Sequence, residues 1–264
     1  MNQNKGNRTG VIKYAVAAAA VVVGIFILLP NISGTIAHAM GQIPMIGQLV
    51  EVVTFRDYAY EGERNMADIE VPEIKPEQQL EDSTLQDNLD RTTAGINAEI
   101  QSITDHLIAE FEANVKDEMG YRDVMVTSEV LTTTSDYFTL KLICYQGAAS
   151  GYQWNYFYTI DLNTGERLQL KDIFKEGADY ITPISENIKL QMQERMDADA
   201  NNIYWLDNET EDLNFKAITE ETSFYLNGKG NVVIGFNEGD VAPTYMGTVE
   251  FEIPAEVDQF GIIG

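Results

Sequence analysis

The stretch Val124–Leu162, VMVTSEVLTTTSDYFTLKLICYQGAASGYQWNYFYTIDL, decides the fold class. Over Val124–Thr133, Tyr137–Tyr145 and Gln153–Leu162, apolar or aromatic residues alternate with polar ones. That is the period of a strand with one buried face. Ser135-Asp136 and the Gly147–Gly151 segment supply the connections, so three antiparallel strands are expected. Alternation puts Tyr152, Trp154, Tyr156 and Tyr158 on one face and Phe157 on the other; core or cross-strand packing is the expected role of these rings, with exposure of some on the sheet the alternative. Cys144 falls inside the second alternating run and reads as a core residue. As the chain's lone cysteine it excludes an internal disulfide and a thiolate metal cluster.

Toward the N-terminus the period changes to that of a helix. Leu85, Leu89, Ile96, Ile100, Ile103, Leu107, Phe111 and Val115 share one face, Ser83 with Gln86 forms a capping box, and Gly120 is the expected stop. The opposite face carries Glu99, Asp105, Glu110 and Glu112, and His106 reads as a boundary residue. Before this helix, Met66–Val71 reads as a short strand, and Pro72, Pro76 and the polar run to Asp82 as an exposed connection. Toward the C-terminus, Asn163-Thr164-Gly165 is a tight turn and Leu170–Phe174 starts a helical turn. Ile181–Met196 has helical spacing with Ile184, Ile188, Met192 and Met196 on one face. Phe224–Leu226, Val232–Phe236 and Gly247–Ile253 read as three more strands, the first two joined by the Asn227-Gly228-Lys229-Gly230 turn. The expected architecture is α+β: an antiparallel meander sheet with helices packed on one face, preceded by an N-terminal transmembrane helix.

The first residues form an address. Lys5, Arg8 and Lys13 precede the apolar run Tyr14–Leu29, and no further charge appears until Glu51. This pattern keeps the N-terminus inside and sends the remainder across the membrane. The run fits either a cleaved signal or, with its apolar flanks, a retained span. Ala37-His38-Ala39 has the small-residue spacing of a signal-peptidase site, with Met40 following the cut and His38 a spacer. Past it, Ile43, Ile46, Leu49, Val50 and Val53 recur at helical spacing, broken by Pro44 and Gly47, and suggest an amphipathic element along the membrane surface. The organisation expected is 1–13 cytoplasmic, 14–39 signal anchor, 40–64 juxtamembrane, and 65–264 an extracellular domain.

The chain of 264 residues carries 42 acidic and 17 basic residues, a formal charge of −25. With its three N-terminal cations set aside, the remainder is more acidic still. Such a surface is repelled by nucleic acid and by anionic wall polymers and speeds encounter with a cationic protein. Catalytic sets are thin. Outside the export segment His106 is the sole histidine, which disfavours histidine-dependent triads and metal sites. Asp197-Ala198-Asp199-Ala200-Asn201 imitates the start of a calcium loop, but Asn202 stands where the loop needs Gly and Asn208 where it needs Glu, so it reads as a helix end. No cofactor, metal or catalytic residue is expected. The loop Glu238-Gly239-Asp240-Val241-Ala242-Pro243-Thr244-Tyr245 lies between two strands, and a rigid Pro near a Tyr makes a contact anchor.

These residues carry a resemblance. IPMIGQLVEVVTFRDY over 43–58, and the later YQGAASGYQ, YTIDLNTGE, LKDIF, NVVIGFNEGDVAPTY and MGTVEFEIP stretches, resemble the RsiV family of anti-sigma factors of Gram-positive bacteria. The resemblance implies an α+β outer domain that binds lysozyme and no enzymatic activity. It also implies that binding opens the juxtamembrane site to signal peptidase, after which an intramembrane protease cuts the remnant and a sigma factor is released. By the same resemblance Pro243 and Tyr245 correspond to lysozyme-contacting positions, with Ser150 a looser match, and Ala37, Ala39 and Met40 mark the processing site. The family's cytoplasmic segment that grips the sigma factor is longer than Met1–Lys13, which leaves that partner open. Similar outer domains occur on cell-wall deacetylases, so a membrane-anchored wall-binding or lysozyme-inhibiting module without sigma-factor control is the alternative.

Overall fold

The three alternating runs form strands β3 (Arg122–Thr133), β4 (Tyr137–Gly147) and β5 (Gly151–Asp161), paired antiparallel with Val126 opposite Cys144 and Cys144 opposite Trp154. In this computed structural model residues 49–77, 80–116, 122–148 and 150–255 are described. The inward set, Val124, Val126, Leu140, Leu142, Cys144, Tyr158 and Ile160, is buried. Against it lies α1 (Ser83–Lys116), which buries Leu89, Ile96, Ile100, Leu107 and Phe111 at helical spacing. Asp82, not Ser83, caps α1: its Oδ1 accepts the Thr84 and Leu85 N–H groups at 2.8 and 3.2 Å. Gln86 instead reaches back to the Leu80 N–H and the Glu77 carbonyl.

Two further strands complete the sheet, and they correct the expected meander. β1 (Val50–Glu61) pairs antiparallel with β2 (Asn65–Pro76), but β2 pairs parallel with β3 over Asn65–Ile69 and Arg122–Val126. The sheet, in order β1-β2-β3-β4-β5, is therefore mixed. The cause is α1: a helix of 34 residues carries the chain back along the sheet, so the next strand starts where β2 started. Val50–Glu61 is a strand and not part of an amphipathic helical element, so the sheet begins upstream of Asn65. Its Val, Thr, Phe and Tyr content suits a pleated surface, and Arg56 pairs with Asp105 while Tyr58 and Tyr60 stand edge-on to Phe111, tying this edge strand to α1. Phe55 bulges out where β1 passes Pro72, whose missing N–H interrupts the ladder.

A second core follows. α2 (Ile181–Ala198) buries Ile184, Ile188 and Met192 against a separate antiparallel sheet of β6 (Phe224–Leu226), β7 (Val232–Phe236) and β8 (Val249–Glu252). α2 thus belongs to its own sheet and does not share a face with α1. The β6–β7 turn has Gly230 at φ 82, with the Asn227 side chain accepting from Lys229 and Asn231. The small sheet meets β3, β4 and β5: Phe157 stacks on Tyr225 at 5.3 Å, Thr132 Oγ1 donates to the Leu226 carbonyl, and Lys141 Nζ pairs with Glu250 at 2.7 Å. Among the described residues no helix is long and apolar enough to cross a membrane. The expected span at 14–29, the Ala37, Ala39 and Met40 site, and the stop at Gly120 lie outside the described residues.

Candidate functional site

β5 is an edge strand of the five-stranded sheet, and an unpaired edge must be satisfied by something. Here the loop after β7 covers it. The Gln153 N–H donates to Glu238 Oε2 at 2.8 Å, the Asn155 N–H donates to Asn237 Oδ1 at 2.8 Å, and the Glu238 N–H returns a bond to the Gln153 carbonyl. The loop holds its own shape through the Asn237 N–H, which donates to Asp240 Oδ2, and through Gly239 at φ 83. Val241 and Ala242 then dip into the second core, where the Val241 carbonyl accepts the Trp205 N–H.

Pro243 and Tyr245 come next. Pro243 has φ −57 and leads into a short 3-10 turn, Thr244–Met246, that ends at Gly247 with φ 67. Tyr245 is 66% exposed, so it is not a core tyrosine. Its hydroxyl donates to the Asn201 carbonyl at 3.3 Å, so the segment after α2 that imitates a calcium loop serves as a buttress for this ring. Asp199 Oδ1 folds that segment by accepting from the Asn201 backbone and side chain. Among the described residues no group of three or more His, Cys, Asp or Glu is placed to hold a metal ion.

Ser150 is exposed at the tip of the β4–β5 hairpin. The Tyr145 ring lies over the flanking glycines: a Cβ at Gly147 or Gly151 would meet Tyr145 Oη at 2.8 or 2.5 Å and push the ring aside. The hairpin tip and the loop leading to Pro243 and Tyr245 both sit at the start of β5. No described hydrogen bond or ring contact joins Ser150 to either residue, and the Glu238–Gln153 pairing is what brings the two loops together.

Between them stands a residue of the aromatic run that is not packed away as expected. Tyr152 is 43% exposed and stacked on Trp154 with ring centroids 5.5 Å apart and planes 24° from parallel. Partial burial, then the nearby Asp240 and Glu238 charges, hold its phenol above the usual range. Burial likewise raises the Glu238 and Asp240 carboxyls, against the opposing pull of the Gln153 and Asn237 N–H groups. Sequence reasoning singled out this loop for its Pro and Tyr and missed Asn237 and Asn201, which position it. The Asn-Glu-Gly-Asp run was the signal, since short polar side chains hydrogen-bond backbone in turns.

His106 is exposed on α1, 3.5 Å from Glu110, and burial pushes the Cys144 thiol up to about 12. The arrangement places acidic and aromatic side chains together at the edge of β5.

A family model described as a protein of unknown function (DUF3298) matches residues 171–256, the second core and the candidate loop but not Ser150. The anti-sigma-V factor RsiV of Bacillus subtilis (strain 168) is 31% identical over 265 aligned residues, covering 99% of this chain and 88% of that protein. The fold is similar to crystal structures of DUF3298 family proteins from Bacteroides fragilis NCTC 9343 and Pseudomonas aeruginosa PAO1. Each has a TM-score of 0.53 and covers 81% of this chain and 94% of that one, at 18% and 14% identity. At those identities the likeness concerns fold alone.

Proposed function

The chain belongs to the RsiV family of anti-sigma factors, and from that premise we propose that it is a membrane-anchored lysozyme receptor with no enzymatic activity. Its folded domain lies outside the cell and binds lysozyme through the surface that carries Ser150, Pro243 and Tyr245. Binding opens Ala37-His38-Ala39 to signal peptidase, which cuts before Met40; an intramembrane protease then cuts the remnant and a sigma factor is freed. The observation that carries the binding step is the loop from Asn237 to Tyr245, pinned along β5 by Asn237 and Glu238 while Tyr245 stays 66% exposed. A formal charge of −25 supports a cationic partner, since complementary charge raises the association rate.

The test is Tyr245→Ala. Loss of an exposed anchor is expected to cost about 2 kcal/mol of lysozyme affinity, roughly thirtyfold, while thermal stability changes by no more than about 0.5 kcal/mol. Unchanged affinity removes the loop from the mechanism. For processing, Ala39→Trp fills the small pocket a signal peptidase needs, so the chain is expected to stay full length when lysozyme is added to cells. Lysozyme-dependent shortening of that variant places the cut elsewhere. Binding without any shortening of the wild-type chain favours an inhibitor module that never signals.

A further inference from the structure

Two rings of β5 already hold a cation against an acid. The Arg167 guanidinium lies 4.9 Å from the Tyr158 ring centre and donates to Glu99 at 2.7 Å. Lys141 Nζ lies 5.4 Å from the Phe157 ring and pairs with Glu250. At the start of the same strand the ring and the acids recur. Tyr152 and Trp154 are stacked, Tyr152 faces solvent, and Glu238 is fixed one residue away by its bond to the Gln153 N–H. Asp240 is fixed by the Asn237 N–H. On the other side Gln146, the cross-strand neighbour of Tyr152, donates to Glu110 at 3.5 Å. Among the described residues no Lys, Arg or His forms an ion pair with Glu238 or Asp240. Partial burial also keeps both carboxyls easier to protonate than usual, a cost that an arriving cation removes.

We propose that the Tyr152–Trp154 stack, walled by Glu238 and Asp240, is a seat for an arginine side chain of the docking protein, an inference that rests on this edge of β5 being the docking surface. Arginine fits better than lysine. Its planar guanidinium stacks on an aromatic face while its N–H fork meets carboxylates, and it sheds water more readily than an ammonium. The seat adds specificity at a point distinct from Tyr245, whose hydroxyl donates to the Asn201 carbonyl.

The experiment uses the full chain in detergent with Trp205→Phe, so that Trp154 is the remaining tryptophan reporter. Tetra-arginine and tetra-lysine peptides are titrated while Trp154 fluorescence is followed, and lysozyme affinity is measured separately. Tetra-arginine is expected to change the emission saturably and to bind about tenfold tighter than tetra-lysine. Tyr152→Leu, which keeps bulk without a π face, and the Glu238→Gln/Asp240→Asn pair, which keeps the hydrogen-bond acceptors without charge, are each expected to erase that preference and to lower lysozyme affinity about tenfold. Circular dichroism melts of the variants confirm that they fold. Equal binding of the two peptides, or variants that retain the arginine preference, overturn the proposal. If wild type binds lysozyme and the variants bind it equally well, the seat is wrong and the receptor reading stands. If wild type ignores lysozyme yet discriminates arginine as expected, the receptor reading fails and the seat stands.

Discussion

The two cores of the molecule use regular structure in opposite ways. In the first, strands of 11 and 12 residues and a helix of 34 bury long periodic faces. In the second, strands of 3, 5 and 4 residues are joined by segments whose shape is set by side chains bonding to backbone. Asn208 with Asn214, Thr219 with Thr222, Asn227 with Lys229 and Asn237 with Asp240 are examples. Long elements give rigidity, and short side-chain-shaped loops give placement of individual groups. The candidate site takes both: its loop comes from the second core, and the edge that straightens it is β5 of the first.

The strongest way to break this contrast is to damage one core and watch the other. Phe251 is fully buried, tilted against Tyr204 and Phe236 and covered by the Arg195 guanidinium at 4.2 Å. Phe251→Ala is expected to cost about 3–5 kcal/mol. Trp154 reports on the first core and Trp205 on the second, so each single-tryptophan variant follows one region. The expectation is coincident melting by both probes, because the β5 edge, Thr132 and Lys141 join the regions. A Trp205 transition that moves while the Trp154 transition stays put would show two independent units.

A smaller effect tests the joint itself. Lys141 is nearly buried and depends on Glu250, which also accepts the Tyr225 hydroxyl at 3.0 Å. Glu250→Ala strands that ammonium and that phenol, but the Glu250 side chain is 31% exposed and water can replace part of what is lost. The expected cost is about 1–3 kcal/mol, below that of breaking a fully buried pair. Adding Lys141→Met to Glu250→Ala is expected to recover part of it in chemical denaturation. Additive losses would make the pair a bystander of the joint.

The contrast also explains which parts could be read from the sequence. Helix α1 and strands β3 to β5 were legible because a period sustained over many residues has one geometric solution. The alternation put Tyr158 and Phe157 on opposite faces, and in the structure Tyr158 lies in the first core while Phe157 stacks on Tyr225. Strand direction was not legible: alternation is the same in parallel and antiparallel ladders, so the β2–β3 pairing was hidden. β1 was misread because helical spacing counted from Ile43 ran into a β-branched segment. At the site, a Pro and a Tyr in a loop were visible as an anchor. That Asn237 and Glu238 would close the edge of β5 was not visible, since it depends on which strand ends the sheet. Likewise, the bond from Tyr245 to Asn201 crosses 44 positions that no local pattern connects.

The smallest effect on stability is expected at the loop, where it has the largest meaning. Burial raises the Glu238 and Asp240 carboxyls above their unfolded values. A group raised in the folded state gives stability that is complete below its unfolded value, about 4 for carboxylates, and lost as pH rises through the folded one. The folded chain binds more protons than the unfolded chain across that window, so stability falls with rising pH there. Above that window the ionised carboxyls carry the burial cost that raised them. Replacing them by Glu238→Gln and Asp240→Asn keeps their acceptors for the Gln153 and Asn237 N–H groups, and is expected to leave the melting temperature unchanged or slightly higher, within about 0.5 kcal/mol. Structural carboxylates of the ordinary kind predict the reverse sign, a loss of stability on neutralisation. A cationic partner prefers the ionised forms, so wild-type affinity for lysozyme is expected to fall as pH drops into the raised carboxylate range, and the neutral variant to lose that dependence. Thermal melts and binding titrations of both proteins at pH 4 to 8 decide the matter. A variant that melts earlier while its affinity keeps the wild-type pH profile would make the two acids braces of the loop and nothing more.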